Sequence, residues 1–330
     1  MFNNKNIFIT GGTGSFGKAF VKKVLENYKP RKLVVFSRDD LKQFEMMQEF
    51  PKEKFPNLRF LLGDVRDGYR LKIALRNIDI VVHAAAQKHV EASEYNPQEC
   101  IKTNIQGAQN LVYACIENKV GKVIALSTDK AVNPINLYGA TKLVSDKLFI
   151  SANIISGNQK TIFSVVRYGN VLNSRGSVIP FFKKLLSEKK NYLPLTSKEM
   201  TRFIISLDDG VEFVLDCFRK MYGGEIFVPK IPSIKILDLI KALNKNIKIK
   251  VIGVKPGEKL YEVLCPKDES DQIIEFKNFY VITPTIDTNI KRNKYLLQKN
   301  GEKGRFVNKG FEYSSDKLDL LTVKEIQELI

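Results

Sequence analysis

The chain has 330 residues, 44% of them hydrophobic, and a formal net charge of +17. That length buries a sizeable core and points to two domains, while four scattered cysteines (Cys100, Cys115, Cys217, Cys265) and two histidines (His83, His89) lack any zinc-ligand spacing and suit reduced thiols. With no apolar run near the roughly 18–20 residues of a bilayer span, no signal-peptide core, and lysines scattered rather than interleaved with aromatics, the expectation is a cytoplasmic protein, not inserted in membranes and not bound to nucleic acid, whose basic surface favours anionic ligands.

Short β-branched runs alternate with helical patterns in the first half, the signature of a parallel sheet wrapped by helices. Strands are predicted at 6–10, 32–36, 59–62, 78–83, 122–126 and 161–167. Phe16, Phe20, Val21, Val24 and Leu25 repeat at helical spacing, as do Ile101, Ile105, Ala108, Leu111, Val112 and Cys115, and both stripes read as core. The first strand runs into Thr10-Gly11-Gly12-Thr13-Gly14-Ser15-Phe16-Gly17 and then a helix. Glycines there permit a tight turn, close approach of backbone to a pyrophosphate, and tight helix packing, with the helix N-terminus offering free amides.

About 20 residues on, an NAD-binding sheet offers an acid to the ribose. Here the second strand ends Ser37-Arg38-Asp39. Ser37 and Arg38, with charge added by Lys42, suit the 2′-phosphate of NADP, while Asp39 keeps NAD open. Asp64 and Val65 close the third strand, Asp64 serving an adenine amino group or simply a turn. The fourth strand ends in His83-Ala84-Ala85-Ala86, small side chains that let a flat cofactor lie against the backbone.

Tyr138 and Lys142, four residues apart, share one face of a predicted helix. An ammonium beside a phenol stabilises the phenolate and makes it a base toward a hydroxyl during hydride transfer. The pair follows Ser127-Thr128-Asp129-Lys130 at the end of the fifth strand, and in that setting a common spacing becomes specific. Beyond Arg167 the rhythm loosens through 169–180 into a basic helix-like segment ending near Tyr192. A helix at 207–221 and a strand at 225–228 return to the first sheet, so the two domains interleave. The polar stretch 291–309 is expected to be the most mobile.

The glycine turn, the small-residue strand end, Asn104, the Ser-Thr pair and Tyr138-Gly139-Ala140-Thr141-Lys142 resemble the extended short-chain dehydrogenase/reductase family. Ala84 to Val90, Leu126 to Ala131, Arg167 to Val171, Gly176 to Phe182, Met200 to Phe203, Gly223 to Lys230 and Pro256 to Leu260 narrow the resemblance to the inverting UDP-N-acetylglucosamine 4,6-dehydratases of pseudaminic acid biosynthesis. It covers nearly the whole chain. It implies an α/β fold: a Rossmann-type doubly wound parallel sheet (1–170 and 205–228) binding NADP, with a smaller mixed α/β unit (171–204 and 229–330) for the nucleotide sugar.

Roles follow from the same resemblance. Gly11, Thr13, Gly14, Ser15, Phe16, Gly17, Ser37, Arg38, Asp39, Lys42, Asp64, Val65, Ala84, Ala85, Lys88 and Asn104 would hold NADP, with Tyr138 and Lys142 at its nicotinamide end. Tyr138, Lys142 and Thr128 would serve C4 oxidation, Lys130 would take the C5 proton, and Asp129 would protonate the C6 oxygen. Retaining dehydratases carry an acid where this chain has Lys130, which underlies the inverting assignment. As a base Lys130 must be partly neutral, through desolvation or nearby positive charge such as Lys88 or Lys142. Lys88, Asn170, Ser177, Val178, Phe182, Thr201, Arg202 and Glu258 would bind UDP-N-acetylglucosamine, Arg202 as a fork for the diphosphate. Self-association into at least a dimer is implied, and no metal. The rivals are a nucleotide-sugar 4-epimerase, a related dehydratase with further C5 epimerisation, and a non-catalytic NADP sensor.

Overall fold

The computed structural model describes residues 1–157, 161–288, 290–299 and 301–330. Its large sheet takes β1 (Asn6–Thr10), β2 (Lys32–Ser37), β3 (Leu58–Leu62), β4 (Ile80–His83), β5 (Lys122–Thr128) and β6 (Ile162–Tyr168) from the first half of the chain. Helices α1 (Ser15–Asn27), α2 (Asp40–Glu49), α3 (Gly68–Ala74), α4 (Val90–Tyr95), α5 (Pro97–Ile101), α6 (Gly107–Glu117) and α7 (Leu137–Ile155) connect them. The predicted strands are these strands to within a residue or two, because all but the edge strand β3 are largely apolar, β-branched runs buried on both faces.

The second half adds β7 (Asn170–Val171), α8 (Val178–Ser187), β8 (Tyr192–Leu195), β9 (Thr201–Ile205), α9 (Leu207–Lys220), β10 (Ile226–Pro229), β11 (Ser233–Lys235), α10 (Ile236–Leu243) and β12 (Lys248–Val251). Then follow β13 (Val263–Cys265), β14 (Ile273–Glu275), β15 (Phe279–Ile282), β16 (Arg305–Phe306), β17 (Tyr313–Ser314) and α11 (Val323–Leu329). The sheet order is β16-β14-β15-β10-β6-β5-β4-β1-β2-β3. From β3 to β10 every pairing is parallel. The order reverses between β1 and β4, and in an open parallel sheet a ligand binds in the crevice at the strands' carboxyl ends at that point.

Residues 273–306, expected in the smaller unit, instead extend the large sheet: β15 pairs antiparallel with β10, and β14 with β15 and β16. The stretch 291–309, expected mobile, is tied down. Tyr295 is buried and its hydroxyl donates to Gly223 O at 2.6 Å, while Arg305 pairs with Glu275 at 2.9 Å. Asn300 within that stretch lies outside the described residues. The smaller unit packs α8 and α10 over β8, β9 and β11 around Ile179, Phe182, Leu193, Ile204, Leu239 and Ile326.

The ends of β1 and β4 are knitted by Thr10. Its hydroxyl lies 2.8 Å from His83 Nδ1 and accepts from the amides of Ala84 and Ala85 at 3.2 Å. Burial, and then the charge of Lys142, hold the His83 imidazole down to about 3. The native state therefore excludes a proton that the unfolded chain accepts near pH 6.5. Stability is full above that value and is lost as pH falls toward 3, at about 1.4 kcal/mol per pH unit, hence about 2 kcal/mol by pH 5. A His83→Gln variant is expected to melt with a shallower loss between pH 6.5 and 5 than the wild type, as read by circular dichroism.

Candidate active site at the carboxyl ends of the strands

The turn between β1 and α1 is built from glycine contacts. Gly11 has φ +63°, and a Cβ on it would stand 2.8 Å from Ala85 N and 2.9 Å from the Ala84 carbonyl. At Gly17 a Cβ would meet Gly12 O at 2.4 Å, so α1 starts directly on the turn. Gly14 caps α1 with no side-chain hydrogen bond, which leaves the first-turn amides of Ser15, Phe16 and Gly17 free for an anion. Thr13 is buried beside them. This cradle fits a dinucleotide pyrophosphate.

Around it the expected cofactor residues divide. The Ser37 hydroxyl accepts from Gln43 at 3.1 Å, and Arg38 keeps 62% of its side chain exposed, with Nη1 at 3.5 Å from Asp64. Asp39 caps α2 through Lys42 N at 3.0 Å and pairs with the Lys42 ammonium. Asp64, expected as an adenine acceptor, is instead gripped by Arg66: Nε at 3.0 Å, Nη2 at 2.7 Å and the backbone amide at 3.0 Å. Burial opposes its charge, but Arg66 outweighs burial and keeps this carboxyl below the ordinary aspartate range.

Val65 packs against α6, where a Cβ on Gly107 would touch its Cγ2 at 2.7 Å. Asn104 sits in a π-helical turn and acts as a clamp. Its amide exchanges two hydrogen bonds with the Gln87 backbone, at 2.8 and 2.9 Å, and donates to Thr141 at 3.0 Å, fixing the Ala84–Lys88 loop to α7. Lys88 donates to Arg175 O at 2.8 Å, and burial together with Lys130 lowers its pKa.

At the reaction centre β5 ends on Thr128, whose hydroxyl caps the 3₁₀ turn Asp129–Ala131 by accepting from Lys130 N at 3.3 Å. Asn136 caps α7, accepting from Gly139 N at 2.8 Å, and its own amide holds the Pro-Gly-Glu-Lys turn at Gly257 O, 2.9 Å away. Gly139 lets α7 lie on the turn: a Cβ there would be 2.1 Å from Lys130 O. Tyr138, Lys142, Thr128, Asp129 and Lys130 thereby share one end of the sheet.

Asp129 is fully buried. Its Oδ1 accepts from Thr128 Oγ1 at 2.8 Å and Lys130 Nζ at 2.9 Å, and its Oδ2 has no hydrogen-bond partner among the described residues. Burial pushes the Tyr138 hydroxyl up to about 12, against which the Lys130 ammonium acts to lower it. The Lys142 ammonium donates to Leu126 O at 2.7 Å, and Lys130 is a cation that lowers the pKa of the Tyr138 phenol. Lys130 differs from expectation. Burial works to lower its pKa, but Asp129 and then Glu262 outweigh burial and hold the ammonium above the ordinary lysine range. Carboxylates, not cations, set the charge of this lysine.

Glu262 is a residue that sequence reasoning missed. It is buried, with Oε1 3.4 Å from Lys130 Nζ and 4.0 Å from Arg202 Nε, and Oε2 3.8 Å from Lys259 Nζ. Behind the centre, Asp146 on α7 accepts from Ser127 at 2.7 Å and pairs with Arg167 at 3.3 Å, locking β5, α7 and β6 together.

Beyond β6, the buried Asn170 Oδ1 and Ser177 Oγ, expected to face the sugar nucleotide, have no hydrogen-bond partner among the described residues. Val178 opens α8, and Phe182 is buried on that helix. Glu258 accepts from Thr196 at 3.3 Å, and Thr201 is paired with the Ser315 hydroxyl at 2.8 Å. Arg202, expected as an open fork, is buried, and its guanidinium donates to the carbonyls of Thr201, Leu260 and Lys259 at 2.7 to 3.2 Å. Those three carbonyls lie where the Pro-Gly-Glu-Lys turn crosses β9, and Arg202 fastens the crossing.

Among the described residues no cluster of His, Cys, Asp and Glu is arranged for a metal, and no helix is long and apolar enough to cross a membrane. The profile of a family described as "Polysaccharide biosynthesis protein" matches residues 7–284. A Campylobacter jejuni protein named UDP-N-acetylglucosamine 4,6-dehydratase (inverting) is 59% identical over 331 residues, covering 100% of this chain and 98% of its own. The crystal structure of Pen from Bacillus thuringiensis superposes with a TM-score of 0.89 at 38% identity, covering 100% of this chain and 98% of that one. DesIV, a dTDP-glucose 4,6-dehydratase from Streptomyces venezuelae solved with NAD and TYD, shares the fold at a TM-score of 0.68 and 23% identity, over 77% of this chain and 86% of its own. A parallel sheet with a glycine cradle at its switch point, a Tyr-Lys helix and an Asp-Lys turn, matched end to end, leaves one conclusion: the chain belongs to the extended short-chain dehydrogenase/reductase family, in the branch of the inverting UDP-N-acetylglucosamine 4,6-dehydratases.

Proposed function

We propose that the protein converts UDP-N-acetylglucosamine to the 4-keto-6-deoxy sugar with inversion at C5, the opening step of pseudaminic acid biosynthesis, and works as a self-associated cytoplasmic enzyme. The observation that carries this is the Asp129–Lys130 pair, 2.9 Å apart at the end of β5 beside Tyr138. An epimerase has no use for an acid at C6, and neither has an NADP sensor.

The Gly11–Gly17 cradle, with Ser37, Arg38 and Lys42, would hold NADP, which would supply a hydride acceptor at C4 and a hydride donor at C6. Tyr138 takes the C4 hydroxyl proton. Burial disfavours ionisation of the phenol, and the Lys130 ammonium supplies the charge that stabilises the phenolate, the form that accepts this proton. Lys142, fixed on Leu126 O, holds the strand end and contributes charge from behind.

Oxidation at C4 acidifies the C5 proton. At rest the proton of the pair sits on Lys130. Its transfer across 2.9 Å to Asp129 Oδ1 makes a neutral amine and a carboxylic acid, the base and acid that elimination needs. Lys130 then takes the C5 proton while Asp129 gives its own to the C6 oxygen, which leaves as water, and the ion pair is restored; hydride return to C6 and a solvent-derived proton reaching C5 from the face opposite Lys130 would complete the inverted product. Asn170, Ser177 and Phe182 line the nucleotide side, with Lys88 and Glu258 at its rim.

Incubation with UDP-N-acetylglucosamine and NADP in deuterated water tests this. One deuterium at C5 of a 4-keto-6-deoxy product, in the inverted configuration by NMR, is expected. A C4 epimer, a retained C5, or a product without C5 deuterium refutes it.

A further inference from the structure

We propose, resting on the dehydratase reading, that Glu262 is a positioning residue for the elimination: it holds the Lys130 amine beside Asp129 and retains the proton that Lys130 and Asp129 share. The geometry is that of a built site. Glu262 is 2% exposed and stands immediately before β13, its backbone fixed by Ser315, whose hydroxyl accepts from Glu262 N at 3.0 Å and whose amide donates to Glu262 O at 2.9 Å. Ser315 is itself pinned to Thr201 on β9. The carboxylate is thereby carried on an anchored backbone, and its Oε1 lies 3.4 Å from Lys130 Nζ.

The charges facing Lys130 come from every element around it: Asp129 in its own turn, Tyr138 on α7, Lys88 after β4, Arg202 on β9, and Lys259 with Glu262 before β13. Three cations oppose its ammonium and two carboxylates support it. Asp129 cannot do this alone, because the reaction requires it to accept the Lys130 proton and pass it on. Glu262 has no such task, so it keeps the amine in place while Asp129 changes state. Burial, with Asp129 adding to it, pushes the Glu262 carboxyl above the ordinary glutamate range, against the pull of Lys130, Arg202 and Lys259.

The alkaline limb of turnover, where the shared proton is lost, tests the proposal. With Glu262→Gln the limb is expected to move down by about one pH unit or more, the effect of removing one close opposite charge, with KM within about threefold. Glu262→Asp keeps the charge but withdraws it by one methylene. It is expected to lower kcat about fivefold or more at unchanged KM while restoring most of the limb.

A folded Gln variant whose limb matches wild type overturns the proposal whatever its rate. If the Gln variant does not fold, an Asp variant with wild-type kcat, or with a loss that falls on KM, overturns it. Competitive acetylation of the Lys130 amine, read by peptide mass mapping, gives an arm that needs no turnover. Labelling at pH 9 should rise about tenfold in Glu262→Gln for each pH unit by which the limb moves, and unchanged labelling overturns the proposal. Wild type that labels as expected yet makes no C5-deuterated product would refute the dehydratase reading alone.

Discussion

Lys130→Met is expected to abolish dehydration, by about 10² to 10⁴ in kcat as for loss of a general base, while the protein still folds and binds UDP-N-acetylglucosamine with a dissociation constant changed only a few fold. Methionine fills the space of the lysine stem without its charge. Lys130 is also the cation that acts on Tyr138, so nicotinamide reduction in a single turnover is expected to slow as well, by less. Asp129→Asn separates the two functions of the pair. The amide keeps the hydrogen bond from Thr128 but offers no proton to the C6 oxygen. Elimination is then lost while C4 oxidation survives, and reduced nicotinamide accumulates without 6-deoxy product. Stopped-flow absorbance for the nicotinamide and NMR for the sugar check both. Lys130→Met with product formation within tenfold of wild type would remove Lys130 from the mechanism.

The parts of the fold legible in the sequence are those governed by local pattern. Apolar runs such as Leu33 to Phe36 and Val81 to His83 could be nothing but buried parallel strands, and the glycines after Thr10 announce their turn by spacing alone. The antiparallel edge was not legible. β14, β15 and β16 are two to four residues long, and pairing across such distances leaves no periodicity to read. In the site, the electrostatics differ from what the sequence suggested. Tyr138 and Lys142 share a helix face as the spacing demands, but side-chain direction is set by Leu126 O, which no spacing reveals. Arg202 read as a ligand residue because charged groups near a motif suggest solvent and substrate, yet its guanidinium donates to carbonyls within the fold. Glu262 was missed for the converse reason. It approaches Lys130 from 132 positions away through the β13–β17 pairing, and its one local signal is an acid directly ahead of the apolar run Val263-Leu264-Cys265.

Gly139→Ala is expected to have the second large effect, and it isolates geometry from chemistry because it removes no functional group. The added Cβ would lie 2.1 Å from Lys130 O and 3.1 Å from Pro134 Cβ. The first is a backbone atom in a turn capped by Thr128, so relief requires α7 and the Asp129–Ala131 turn to part by about an ångström, carrying Tyr138 away from Lys130. Overpacking of this kind costs about 1–3 kcal/mol, and misplacing reacting groups by that distance costs about a hundredfold in kcat. Gly210→Ala on α9 is the matched control. Its Cβ would meet only Ile205 Cδ1 at 3.8 Å, and alanine is the better helix former by about 0.8–1 kcal/mol, so this variant is expected to melt higher with unchanged turnover. If Gly139→Ala melted and turned over like wild type, the close seating of α7 on the Lys130 turn would not be what aligns the phenol with the Asp-Lys pair. The alignment would then have to come from the Asp146–Arg167–Ser127 lock behind the strands, which Asp146→Asn would expose as a loss of turnover that Gly139→Ala lacks.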